Sequence, residues 1–167
     1  MLELKPLSED SIPKAITRAK HYRLLNEPWQ AESICRDILK IAPTHQSALL
    51  YLILAITDQF DSEFRTSKPE AKQLCSELKS EYEQKYYRGI IEERLGKSAL
   101  SRKTPRAKFI AYEHYASAMQ FFEEAENIRP EGNQDAVLRW NACARVIKGL
   151  KLQPSEKDTG LQPFLDI

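Results

Sequence analysis

Strand and turn signals are nearly missing from this chain. It holds five glycines, and no Asn-Gly or Asp-Gly pair separates alternating β-branched runs, which argues against hairpin-built β architectures. Long apolar runs are missing too. The longest, Ala48 to Ile56, is less than half of the roughly 20 residues that a spanning helix requires. The opening stretch, MLELKPLSEDSIPK, is charged and has no continuous apolar core, which argues against a signal peptide. An excess of either charge is absent: 25 Lys+Arg stand against 24 Asp+Glu, so global charge gives no argument for nucleic acid or an anionic membrane. Cysteines number three, Cys35, Cys75 and Cys143, with no CxxC spacing. They read as small core residues in a reducing compartment rather than as zinc ligands. His21, His45 and His114 are scattered, no HExxH or phosphate-cradling glycine loop occurs, and Glu92-Glu93 and Glu123-Glu124 are adjacent pairs that point in different directions on a helix. These absences predict a cytoplasmic protein without catalytic activity, metal or cofactor.

What is present is helix-forming sequence. The 167 residues suit one domain with a substantial core, and Ala, Leu, Glu, Lys and Arg are abundant. One spacing occurs twice. Ala31, Cys35, Ile38 and Pro43 are separated by four, three and five residues, and Ala118, Phe122, Ala125 and Pro130 repeat those steps 87 residues later. A small residue, two apolar residues on one helical face and a helix-ending proline mark a repeated supersecondary unit.

Periodicity predicts helices over about 12–25, 28–41, 46–60, 69–79, 81–95, 105–128 and 134–150. Ser11, Thr44, Ser67 (with Glu70) and Ser80 (with Glu83) are the expected caps, and Pro13, Pro28, Pro69 and Pro105 suit first turns. The helix from Gln46, apolar all round in its middle, is expected to be the central one of the stack. Residues 1–10 read as an extension, 11–150 as the helical domain and 151–167 as a flexible tail.

These helical pairs resemble the tetratricopeptide repeat, a helix–turn–helix unit of about 34 residues. The first copy carries the likeness best, with Ala19, Tyr22, an Asn26-Glu27 turn, Ala31 and Pro43. The second, from Gln46, has extra residues before Ala71 and no closing proline; the third shows Tyr86-Tyr87-Arg88-Gly89 and Leu95-Gly96, then an insertion before Ala118. The resemblance implies an all-α, right-handed superhelix of hairpins over about 12–43, 46–79 and 81–130, closed by a capping helix over 134–150.

It also implies a concave groove lined by the first helix of each pair. The candidate partner-binding residues are Ile16, Lys20 and Arg23, then Leu50, Tyr51 and Leu54, then Tyr86, Tyr87, Ile90 and Arg94, and Leu138, Asn141 and Arg145 on the cap. Aromatic, apolar and cationic side chains together suit a peptide with apolar anchors and acidic residues. The family's two-carboxylate clamp for chaperone tails is not present: Ile16, Lys20 and Tyr51 stand at its positions. The expected function is that of a protein-interaction scaffold. An alternative is a helical nucleic-acid-associated regulator using a basic inter-helix loop over 94–108, where Arg94, Lys97, Arg102, Lys103, Arg106 and Lys108 occur without an acidic residue. The tail's Leu161, Pro163, Phe164, Leu165 and Ile167 suggest a linear motif or tail-mediated self-association.

Overall fold

Pro13 in the first turn of Ile12–Leu24 (α1) starts the first long helix of the computed structural model, which describes residues 1–62 and 68–156. A single 3-10 turn at Glu9–Ser11 precedes it. Ser11 does not cap α1 with its side chain; its hydroxyl donates to the Ser8 carbonyl at 2.7 Å. The helix stops at Asn26, whose φ of 60° lets the Glu27 N–H reach the Tyr22 carbonyl at 2.8 Å and the Asn26 N–H reach that of Arg23 at 3.0 Å. Asparagine tolerates this left-handed conformation better than most side chains.

Pro28–Ile41 (α2) has the bounds that its sequence predicts, and Gln46–Thr57 (α3) ends three residues earlier than expected. The cap of α3 is His45 rather than Thr44: its Nδ1 accepts the Ala48 N–H at 3.2 Å. Lys68–Ser76 (α4) is shorter than predicted, and the expected Ser67 cap lies outside the described residues. Ser80 accepts the Glu83 N–H at 3.2 Å and opens Glu81–Ser101 (α5), so the chain turns at Ser80. Ala107–Asn127 (α6) and Asp135–Leu150 (α7) complete the helices among the described residues. The described residues are all helical, with no strand.

Each helix packs on the next in sequence, and alternate helices also touch, α1 on α3 and α3 on α5. On the other side Arg36 of α2 donates to Glu32 at 2.9 Å and to Glu70 of α4 at 2.8 Å. The repeated spacing is core: Ala31, Cys35, Ile38, Ala118, Phe122 and Ala125 are all fully buried.

Two apolar clusters form. The first joins α1 to α4 with Ile91 and Leu95 of α5; the second joins Ile90 of α5 to α6 and α7. Helix α3 is buried on nearly every side, as its composition predicts, but α5 is the element the two clusters share. The sequence hides this role because Gly89, Glu92, Gly96 and Ser98 are among its buried residues. The expected end of α5 at Leu95 is a correction. Gly96 is not at the turn but inside the helix, against the Tyr115 ring of α6, as Gly89 is against Phe122. The two glycines are seven residues apart and so are the two rings, in reverse order, the register of an antiparallel pair.

Packing also continues past α7. Lys151 takes φ 52°, the Leu152 N–H reaches the Ile147 carbonyl at 2.9 Å, and Leu152 is buried in the second cluster. Residues 157–167, with the expected tail motif, lie outside the described residues.

Candidate functional site

Asp58, at the end of α3, stands where three helices meet. Its carboxylate accepts from Arg23 of α1 at 2.7 and 3.3 Å and from Arg94 of α5 at 3.3 Å. Two of the predicted groove cations therefore already share one internal carboxylate, which offsets one of their two charges. All three side chains are largely shielded from water, so the network ties α1 to α5 through α3. Asp58→Ala leaves two guanidinium groups unpaired and is expected to cost about 1–2 kcal/mol in a chemical denaturation series.

Ile16 is half-buried and Lys20 exposed on α1. Tyr51 packs on the first cluster and Leu54 on the second, both half-buried; Leu50 is half-buried as well. On α5, Tyr86 and Tyr87 meet edge to face with centroids 5.1 Å apart, and Tyr82 stacks on Tyr86 at 5.7 Å. Burial pushes the hydroxyls of Tyr86 and Tyr87 up. Ile90 is a correction: at 2% exposure it belongs to the second core and presents nothing to a ligand. Helical register alone places it beside Tyr87 and Arg94, but α6 and α7 cover it.

On α7, Asn141 and Arg145 share a shallow pocket of about 220 Å³ with Trp140, Ala144 and Lys148. Leu138 is strongly exposed. A link from α7 back to α5 is the pair Arg139–Glu93 at 3.0 Å; the sequence named Glu93 only as half of an adjacent acidic pair.

The basic segment is also corrected. Arg94 and Lys97 lie within α5 and Lys108 within α6, so only residues 102–106 connect the two helices. Lys97, Arg102, Lys103, Arg106 and Lys108 are all exposed. Lys68, from the start of α4, joins them: burial and then repulsion from Arg102 lower its pKa, while Asp61 acts against both.

A further group of charges was not legible as a site. Glu92, at 5% exposure, is held by Lys72 of α4 at 3.0 Å and by His114 of α6 at 2.7 Å. Nearer the start of α5, Lys85 pairs with Glu124 of α6 at 2.7 Å. Between them Arg88 lies over the Phe121 ring, its guanidinium carbon 5.1 Å from the centroid. A cavity of about 170 Å³ opens here, lined by Lys72, Lys85, Arg88 and Phe121 with Cys75, Ser76 and Gln84. The steps from Lys85 to Arg88 to Glu92, three and four residues, were the available signal; Lys72 and Phe121 come from other helices.

Burial pushes the thiols of Cys35, Cys75 and Cys143 up to about 12, which makes them inert core groups at neutral pH. Among the described residues no group of three or more His, Cys, Asp or Glu is placed to hold a metal, and no helix is long and apolar enough to cross a membrane. Comparison with models of protein families, with curated proteins and with solved structures finds no match to this chain.

Proposed function

We propose that this chain is a non-catalytic protein-interaction scaffold of the tetratricopeptide-like kind, with an acidic, apolar-anchored peptide lying across α1, α3 and α5. The observation that carries this reading is the contact between alternate helices, α1 on α3 and α3 on α5, pinned by Arg23–Asp58–Arg94. Helices held side by side in this way present one continuous face, and that face combines half-buried Tyr51 and Tyr87 with exposed Lys20. Aromatic groups anchored in packing and cations at the rim are the usual sources of peptide affinity.

Selection from a display library of peptides carrying two apolar anchors and intervening Asp or Glu tests the reading. Lys20→Glu and Tyr51→Ala are each expected to weaken the selected peptides about tenfold, close to 1.4 kcal/mol. Unchanged affinity in both variants, or no selected peptide, would sink it. The exposed cations at the α5–α6 junction, joined by Lys68, favour a second reading, contact with a nucleic-acid backbone. Replacing Arg102, Lys103 and Arg106 together with Glu leaves peptide binding unaffected under the first reading and abolishes binding under the second.

A further inference from the structure

The cavity between α4, α5 and α6 is distinct from the α1–α3–α5 face, and its charges are arranged unevenly. Two of its three cations have internal partners: Lys72 holds Glu92 and Lys85 holds Glu124. Both carboxylates lie outside the cavity lining, which contains none. Among the described residues Arg88 has no ion-pair partner, and its Nε is buried without a hydrogen-bond acceptor. A buried donor left unsatisfied is costly, and burial of an unpaired guanidinium more so. The Phe121 ring under the guanidinium, 5.1 Å away, and beside the Lys85 ammonium, 6.0 Å away, favours this arrangement of the cations.

We infer that this cavity receives a phosphate monoester, gripped by Arg88 and flanked by Lys72 and Lys85. The guanidinium fork matches two oxygens of such a group at once. Each lysine ammonium has three donors, so both can reach a ligand oxygen while keeping Glu92 and Glu124. Ser76, also on the lining, adds a hydroxyl. With Glu92 and Glu124 each keeping a lysine, the excess is one positive charge, and the spare donors of all three cations suit a group with three terminal oxygens better than a carboxylate, which Arg88 alone would satisfy. The volume, about 170 Å³, admits the phosphate and little of what carries it. The carrier is a small phosphorylated molecule or a phosphorylated side chain of a peptide.

The test is a titration of the full ¹⁵N-labelled chain with inorganic phosphate at a pH of about 7.5, where a phosphate monoester, with its second ionisation near 6, is a dianion and inorganic phosphate is mostly one. The Arg88 Nε–Hε resonance is expected to move saturably with phosphate and to stay still with acetate. A phosphoserine peptide that binds about tenfold or more tightly than inorganic phosphate, while its unphosphorylated form does not bind, identifies a peptide as the carrier. Equal affinities show that the surrounding peptide adds nothing, and free phosphoserine bound more tightly than inorganic phosphate then identifies a small molecule. In the variants the readout is the backbone amides of Ser76 and Gln84 on the lining: Arg88→Met is expected to leave them unmoved by phosphate, and Arg88→Lys, which keeps the charge but loses the fork, to weaken their saturable shift about tenfold. Arg88→Lys carries the comparison if Arg88→Met fails to fold. Lys14→Met, exposed on α1 and not on the cavity lining, leaves the affinity unchanged. No saturable shift, a shift of equal affinity with acetate, or full phosphate affinity in Arg88→Lys would each overturn the proposal.

Discussion

Gly89→Ala is expected to destabilise this protein by about 1–2 kcal/mol, although alanine is the better helix former by about 1 kcal/mol. A Cβ at position 89 would lie 2.5, 2.7 and 2.9 Å from Cε1, Cδ1 and Cζ of Phe122. Phe122 is fully buried, and its ring is in contact with Tyr86, centroids 5.8 Å apart. The ring cannot swing into water, so α5 and α6 must separate or the ring must leave its rotamer. Either response costs about 2–3 kcal/mol, the upper part of the overpacking range, which leaves a net loss of about 1–2 kcal/mol after the propensity gained. The informative measurement is the four-protein cycle with Phe122→Ala. That truncation alone is expected to cost about 3–5 kcal/mol by opening a cavity. In its background, Gly89→Ala meets no ring and is expected to become stabilising. Urea denaturation of the four proteins reads this change of sign; Gly89→Ala stabilising in both backgrounds would show that the helices do not pack ring against glycine. Gly96 is set the same way, with a Cβ there 2.9 Å from two ring carbons of Tyr115.

The second large effect belongs to Glu92. Replacing it with Gln is expected to cost about 2–3 kcal/mol at neutral pH, since a buried carboxylate then no longer accepts from Lys72 and His114. Burial pushes the Glu92 pKa up, but the hydrogen bonds and charges of His114 and Lys72 outweigh it and hold the group below its ordinary value. A carboxyl with a lowered folded-state pKa favours the folded state above its unfolded-state pKa. That contribution is lost as pH falls through the folded-state value, because the unfolded chain then binds the proton first. The stability gap between the wild type and Glu92→Gln is therefore expected to be full at neutral pH and to close below the usual carboxylate range. Denaturation midpoints of both proteins across acid pH check this. A gap that stays constant into strong acid would show that the carboxylate's charge contributes nothing.

Both effects centre on α5, the helix least legible from its own residues. Its face toward α6 carries Gly89, Gly96 and a buried glutamate instead of an apolar stripe. A periodicity search rewards apolar side chains, so α5 read as ending at Leu95. The basic stretch from Arg94 consequently read as a loop, when most of it is helix. The glycines became informative only beside Phe122 and Tyr115, which lie well over a dozen residues away along the chain. In the candidate groove, register placed Tyr51, Leu54, Tyr86 and Tyr87 where half-buried side chains are found. It also placed Ile90 there, because one helix cannot tell which of its faces a later helix will cover. Asp58 left no mark in any single segment, and the cavity left only the Lys85–Arg88–Glu92 spacing on α5, since Lys72 and Phe121 come from other helices.

The amino-acid sequence by itself determined the all-helical architecture, the bounds of α2, the presence of a turn at Asn26-Glu27 and the burial of Ala31, Cys35, Ile38, Ala118, Phe122 and Ala125. Each of these follows from backbone propensity or from a spacing within a few turns of helix. The tertiary structure decided which helix joins the two cores, which groove residues are covered, and where Asp58, Glu92 and Arg88 find or lack partners. Those outcomes depend on side chains far apart in sequence. Close packing and charge pairing act through distance in space, which local periodicity does not encode.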